Sequence, residues 1–331
     1  MAFKEGQYSC GNFLDSVGTQ GYAAPTSYLQ MDLYYKHSGR FTPFGALAGL
    51  IGGMAASVPL AWLYSYGIIQ MPYIKLRAFS TLFFGLGAGI CAGFALVWGK
   101  VRSRPVAALI GLLTSCFALY LSWGFWLHQI FALGNYNLNT FAVLRHPYWM
   151  WTILQRVREV GTWGSTSDSL TKGAELTIIW TIEALTVLIV GAVAAVGVVA
   201  RNPFCENCDA WCTRAEKLIF FPSVFGADLK QRLENKDFSF IDKLVPTSEK
   251  FAHLKFELHS CATCNMLNTL SVTQVLVQPA KSRWSQAKVD RKQLLNLLLI
   301  SPDEAALLRR VAMGIANPPA AAAASTAAGR V

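Results

Sequence analysis

The stretch Ala78-Phe79-Ser80-Thr81-Leu82-Phe83-Phe84-Gly85-Leu86-Gly87-Ala88-Gly89-Ile90-Cys91-Ala92-Gly93-Phe94-Ala95-Leu96-Val97-Trp98 contains no charged residue. A helix that crosses the hydrocarbon of a bilayer needs about 20 mostly apolar residues, so this segment reads as a membrane span. Three more stretches read the same way, giving spans at 44–70, 78–98, 105–131 and 174–200. Lys75 and Arg77 separate the first two, and Lys100, Arg102 and Arg104 separate the second and third. Pro105 then suits the first turn of a helix, where its missing N–H costs nothing. Residues 132–173 form an outer loop, and residues 1–43 are a polar N-terminal segment without the short apolar core of a cleavable signal. The first span is therefore expected to direct insertion itself.

Composition agrees with this reading. The chain has 331 residues, 53% hydrophobic and 15% charged, against about 25% charged in an average soluble protein. The deficit lies in the first 200 residues, which hold 7 acidic and 12 basic residues; the remaining 131 hold 12 and 17. Each part carries +5, so the net +10 is spread along the chain rather than gathered into a stripe. A nucleic-acid partner is not expected; the expected partner is the lipid bilayer. Four spans place both termini on one side. Basic residues near the span ends number eight on that side and six on the other, which favours termini inside. The expectation is an integral protein of the cell membrane with both termini in the cytosol.

Two CxxC pairs follow the last span: Cys205-Glu206-Asn207-Cys208 and Cys261-Ala262-Thr263-Cys264. Thiolates at this spacing chelate one metal from two tight turns, and free thiols persist in a reducing cytosol. His253-Leu254-Lys255-Phe256-Glu257-Leu258-His259 alternates apolar and polar residues as a half-buried strand does, and residues 270–277 are rich in β-branched types. Strand, knuckle, strand resembles one half of a zinc ribbon, and residues 204–209 resemble the other half. The resemblance covers about 40 residues and implies a fold fragment with a structural Zn²⁺, not an activity. The spacing departs from compact ribbons, since 52 residues lie between Cys208 and Cys261. That gap holds a predicted helix at 227–235 and an apolar stretch at 238–244, so the expected unit at 201–280 is a ribbon with a helical insertion. Cys212 and His259 are read as bystanders able to replace a ligand; iron is the alternative to zinc. Cys91 and Cys116 read as small apolar fillers within spans. Residues 281–316 read as a basic linker, over 281–292, and a C-terminal helix begun by Ser301-Pro302-Asp303-Glu304 as a capping box. The Ala- and Pro-rich 317–331 reads as a disordered tail. The predicted fold class is a mainly α membrane protein: four transmembrane helices followed by a small cytosolic α+β zinc-ribbon-like domain.

Small residues recur every four positions in the first two spans: Gly45, Gly49, Gly53 and Ser57, then Thr81, Gly85, Gly89 and Gly93. Such rows let helix backbones approach closely. The expectation is that these two helices pack on each other, with a homo-oligomer through the glycine ridge as the other reading. Pro59 is expected to bend the first span. Glu183 lies within the fourth span, where a lone carboxylate costs at least about 2.5–3.5 kcal/mol; His128, one turn away in depth, is its candidate partner. In the outer loop, Met150, Ile153, Leu154 and Val157 recur at helical spacing, with Gly161 as a stop and Tyr148, Trp149, Trp151 and Trp163 as amphipathic rings. This reads as a helix lying at the membrane interface.

The chain carries no P-loop, dinucleotide fingerprint, HExxH, nucleophile elbow or paired carboxylates, and its five histidines are scattered. An enzyme is not expected. The leading expectation is a scaffold or accessory subunit whose cytosolic zinc domain binds another protein. The alternatives are a channel or transporter using Glu183 and the glycine ridges, and a membrane-bound thiol redox or metal-handling protein.

Overall fold

The structure is a computed structural model and describes residues 33–71, 74–136, 138–162, 170–213, 215–221, 226–247, 252–278 and 288–314. Helix α1 (Pro43–Gln70) begins where the Thr42 hydroxyl accepts the Gly45 N–H at 3.0 Å, with Pro43 in the first turn. Helices α2 (Ile74–Trp98) and α3 (Arg104–Leu133) follow, then the short α4 (Thr140–Arg145) and α5 (Pro147–Val160), then α6 (Gly173–Ala200). The four long helices are each long and apolar enough to cross a membrane. Their burial supports a lipid surrounding. The buried residues of α1 are all small: Gly45, Gly49, Gly53, Ser57, Ala61 and Ser65. The large apolar groups point outward, among them Phe44, Leu47 and Ile51 on α1 and Ile178, Ile182, Ile189 and Val193 on α6, each more than half exposed. Small inside and large outside is the order that hydrocarbon solvent favours.

The two small-residue ladders do not face each other. Gly49 lies against Leu96 of α2, and Gly53 against Ala92 of α2 and Thr114 of α3. Gly85, Gly89 and Gly93 instead meet Val187, Gly191 and Val198 of α6. One helix has two faces: Ala92 and Leu96 turn to α1 while the glycine row turns to the fourth span. The expected hairpin contact exists, but its α2 side is not the glycine row. On α6 the buried row is Val187, Gly191, Ala195 and Val199, and Gly111 of α3 closes on the same point, beside Gly191 and Ala195.

Helix α5 also departs from expectation. Met150 and Leu154 are buried against Leu127 of α3 and Val143 of α4, with Ile153 and Val157 beside them. The apolar stripe is thus used within the protein, and only the Tyr148, Trp149 and Trp151 side is exposed. Gly161 ends the helix at φ 94°, a left-handed conformation that favours glycine. Trp163 lies outside the described residues.

Beyond α6 comes a small hairpin, β1 (Phe204–Cys205) with β2 (Ala210–Trp211), then a four-stranded antiparallel sheet in the order β3 (Ala215–Phe220), β4 (His253–Ser260), β5 (Asn268–Gln278), β6 (Lys288–Ile300). Alternate residues Leu254, Phe256 and Leu258 of β4 turn one way and are fully buried, with Phe220, Leu270, Val272, Leu295 and Leu298 of the other strands. Leu229 and Leu233 of α7 (Gly226–Glu234), Ile241 of a single 3-10 turn, and Leu308 of α8 (Pro302–Ala312) complete this core. The α8 capping box is formed: Glu304 N–H donates to the Ser301 hydroxyl at 3.2 Å, and Ser301 N–H to the Glu304 carboxylate at 2.6 Å.

Two strands depart from the sequence reading. The insertion between the cysteine pairs contains β3 as well as α7, so it adds a strand to the sheet. Part of the stretch read as a basic linker is β6. Its first half pairs with Thr273 through Val277 of β5 but lies beyond the core, so residues 289–293 stay exposed and carry charges that hide the strand. At the free edge of β6, Tyr35 N–H donates to the Leu297 carbonyl at 2.8 Å and Leu299 N–H to the Leu33 carbonyl at 3.0 Å. The residues just before α1 thus extend the sheet. Residues 1–32 and the tail 317–331 lie outside the described residues.

Candidate metal centre

Both knuckles are tight turns closed by a residue in the left-handed region. Asp209, directly after Cys208, has φ 48°, and Asn265, directly after Cys264, has φ 53°. Asp and Asn tolerate this conformation better than other side chains. The first knuckle is the loop of the β1–β2 hairpin, with Phe204 opposite Trp211 and Cys205 opposite Ala210. The second is the loop between β4 and β5, fastened by Cys261 N–H to the Leu267 carbonyl at 3.0 Å and Asn265 N–H to the Cys261 carbonyl at 3.1 Å.

The fold brings the two loops together. The Sγ atoms of Cys205, Cys208, Cys261 and Cys264 all lie within 4.8 Å of one another, and those of Cys205 and Cys264 are 3.7 Å apart. A tetrahedral ion with metal–sulfur bonds near 2.3 Å sets its sulfurs about 3.8 Å apart. Four cysteines from two turns can therefore hold one metal ion. Cys205 and Cys261 are buried.

The local electrostatics divides the four thiols. Burial opposes ionisation of Cys261, but the backbone N–H groups of Cys264 and Thr263 outweigh it and bring the thiol down to about 6. The Met266 N–H, followed by the Cys208 thiol, lowers Cys264. Cys208, which shares its proton with the Cys264 sulfur, is pushed up to about 12, and burial raises Cys205. The second knuckle is therefore the more readily ionised of the two, and a cation held by all four sulfurs would displace the protons on the first.

Cys212 packs against this cluster, 2% exposed. Burial pushes it up to about 12, which keeps it a thiol at neutral pH. It is not among the four converging sulfurs. His259 donates from Nδ1 to the Cys212 carbonyl, 3.2 Å away, on the flank of the site. Cys91 and Cys116 are free and lie on spans; Cys10 is outside the described residues.

The first knuckle is clasped by the rest of the molecule. The Tyr35 hydroxyl donates to the Phe204 carbonyl at 3.2 Å and accepts the Phe204 N–H at 2.9 Å. Ser38 donates to the Glu206 carboxylate at 2.6 Å. From the α2–α3 connection, the Arg102 guanidinium reaches the same carboxylate at 2.6 Å and lies over the Phe204 ring at 4.3 Å. The Trp211 indole N–H donates to the Val97 carbonyl at 2.8 Å, and Lys100 pairs with Asp209. Sequence reasoning missed Tyr35, Arg102 and Trp211. Arg102 carried only the signal of a loop charge, and nothing local pairs it with Glu206.

The other sequence-derived site is not formed as expected. The Nδ1 of His128 lies 2.8 Å from the Leu138 carbonyl, and Thr186 donates to the Ile182 carbonyl. Glu183 instead lines a cavity with Arg77 of α2, together with Trp123, Trp126 and Trp180. The depth estimate from helical rise put His128 about one turn from Glu183, but Glu183 lines the cavity and His128 is not among its lining residues. The missed signal is the spacing Trp180, Glu183, Ala184, Val187, which puts four residues on one face of α6.

Among the described residues, the fold and site define a class: four helices able to span a membrane, followed by a small antiparallel sheet with a four-cysteine cluster able to hold a metal ion. No protein-family model, curated protein or solved structure matches the chain.

Proposed function

We propose that this is a polytopic membrane protein whose cysteine cluster holds a structural Zn²⁺, and that the domain stapled by the ion binds another protein, making the chain a scaffold or accessory subunit. The observation that carries the reading is the convergence of four sulfurs within 4.8 Å from two separate turns. Four thiolates fill the coordination of a tetrahedral ion and leave no position for substrate or water. An ion so enclosed holds shape rather than performing chemistry, and what it shapes here is a sheet domain fastened to the membrane bundle. The all-sulfur set suits Zn²⁺.

The same reading places the domain in the cytosol of a cell, below its surface membrane. Reduced thiols suit that side, and Lys100, Arg102, Arg104 and Arg201 cluster at the bundle end that meets the cysteines, as basic residues do on the cytosolic face. The test is metal analysis of the full chain purified without chelator, with cross-linking in native membranes. One zinc per chain, absent after Cys261→Ser and Cys264→Ser, with a reproducible cross-linked protein partner, is the expected result. Iron in place of zinc, or reactive thiols that cycle with oxidant while metal is retained, overturns it.

A further inference from the structure

At the bundle end that meets the cysteine cluster, α1 and α2 cross backbone to backbone: a Cβ built on Gly45 would lie 2.0 Å from the Gly99 carbonyl oxygen. A groove of about 500 Å³ runs along this crossing, and every residue that lines it belongs to the described parts of the chain. Its floor is small. Gly45, Ala48 and Gly52 share one face of α1 over two turns, about 10 Å, with Ala95 of α2 beside them. Its walls are large and open outward: Phe44, Phe94 and Trp98 line it and are 81%, 58% and 89% exposed. In a bundle read as spanning a bilayer, such a groove faces acyl chains, and Trp98 marks the head-group level, where indoles collect.

The mouth of the groove is charged. Lys100, Arg102 and Asp209 line it, a formal sum of +1. Lys100 pairs with Asp209, but the two side chains are 47% and 62% exposed, a setting in which an ion pair contributes little. A lysine has three N–H donors, and this contact uses one. Arg102 is only 8% exposed. Its Nη1 donates to Glu206, whereas its Nε has no acceptor. A buried donor left unpaired is costly, and an anion at the mouth is a group that relieves it. Glu206 reaches Arg102 from the knuckle and does not line the groove. Its charge is offset by the exposed Arg40, whose carbonyl accepts the Arg102 backbone N–H at 3.0 Å. The first turn of α1 carries no acidic residue, so the positive end of that helix adds to the potential at the mouth.

An apolar groove with a basic mouth at the head-group level suits an amphiphile with a negative head. A free anion would use the mouth and leave the floor bare. A zwitterionic head group would bring an ammonium to a mouth that is already positive.

We propose that this groove holds one anionic phospholipid, its phosphate against Lys100 and Arg102 beside the first turn of α1, and the upper part of one acyl chain along Gly45, Ala48 and Gly52. The proposal rests on the reading of the long helices as membrane spans and is independent of the metal.

The test places the full chain in nanodiscs of equal parts phosphatidylglycerol and phosphatidylcholine, and native mass spectrometry reads the lipid that stays bound. The wild type should retain one lipid, with phosphatidylglycerol at least fivefold over phosphatidylcholine, and the excess should shrink as ionic strength rises. Lys100→Gln and Asp209→Asn break the same ion pair. If that pair is only a clasp, both variants lower retention alike. With a phosphate at the mouth they part: Lys100→Gln abolishes the preference, and Asp209→Asn, which removes the competing carboxylate, keeps or raises it. Ala48→Phe fills the groove from an exposed position without touching a charge and should remove the retained lipid, which a site for a free anion would not feel. If Lys100→Gln fails to fold, the salt dependence and Ala48→Phe carry the test. No retained lipid, equal retention of the two lipids in the wild type, parallel loss in the two charge variants, or lipid kept in Ala48→Phe overturns the proposal. A chain that does not enter the nanodisc overturns the membrane reading, and this proposal with it.

Discussion

The close approach of α2 and α6 at Gly89 makes a quantitative prediction. A Cβ built on Gly89 would lie 2.2 Å from the Gly191 carbonyl oxygen and 2.8 Å from the Ala194 Cβ. To restore ordinary contact at 3.4 Å, α2 and α6 must separate by roughly 1.2 Å, and the obstacle is backbone, which cannot rotate aside. Overpacking of this kind costs about 1–3 kcal/mol, offset by the gain of about 0.8–1 kcal/mol that alanine brings to a helix interior over glycine. Gly89→Ala is thus expected to destabilise by about 0–2 kcal/mol. Gly197, also on α6, has nothing within 4 Å of its built Cβ, so Gly197→Ala keeps only the gain, up to about 1 kcal/mol. The two variants should differ by about 1–3 kcal/mol in reversible denaturant unfolding in bicelles, and Gly89→Leu should be worse than either. If Gly89→Ala proves as stable as Gly197→Ala, the α2–α6 contact is not as close as described and the reasoning fails.

Three further outcomes follow from the metal domain and its clasp. Chelation, or Cys261→Ser, should lower the melting temperature of the sheet domain while leaving helix content in the bundle, because ion binding is part of that domain's folding free energy; far-UV circular dichroism with metal analysis checks this, and unchanged melting on metal loss would contradict it. Arg102→Gln removes both the 2.6 Å pair with Glu206 and the guanidinium over Phe204; with Glu206 partly solvated the cost should be about 1–2 kcal/mol. It should appear as faster hydrogen exchange at residues 203–212, with Arg102→Lys failing to restore protection, since lysine lacks the planar fork. His37 lies against Tyr35 and Trp211, and burial lowers its pKa below the ordinary 6.5. The unfolded chain then takes up the proton first, so this contribution is whole above pH 6.5 and shrinks as pH falls below it; melting temperature measured from pH 7.5 to 5.5 should fall less in His37→Gln than in the wild type.

How much was legible in the sequence depends on the range over which each signal acts. The spans announce themselves locally, since twenty apolar residues in a row are their own message, and Pro43, Pro105 and Pro302 each lie in the first turn of a helix, with side-chain caps at Thr42 and Ser301 that act within one turn. The cysteine pairs are equally local, each needing only a CxxC turn and an Asp or Asn able to adopt positive φ. Helix faces are less legible. The row Gly85, Gly89, Gly93 says that some backbone comes close, but not whether its partner is α1 or α6, because a small residue carries no complement to its neighbour. Strand β6 was lost where its charged half runs beyond the core, leaving alternation without burial to reveal it.

The contacts that join the metal centre to the bundle are the least legible, and the reason is separation. Tyr35 reaches Phe204 across 169 positions and Arg102 reaches Glu206 across 104. No periodicity spans such distances. Each of those residues has an ordinary local reading, a tyrosine before a helix or an arginine in a basic loop. Their role appears only once α2 and α3 have set the loop at Lys100 to Arg104 beside the end of α6, where the chain emerges three residues before Phe204. That short exit gives the β1–β2 knuckle little room to lie elsewhere. The knuckle is therefore held on one side by the bundle and on the other by whatever joins it to the Cys261–Cys264 turn, so an ion held by the four sulfurs would tie the sheet to the membrane helices as well as close the domain.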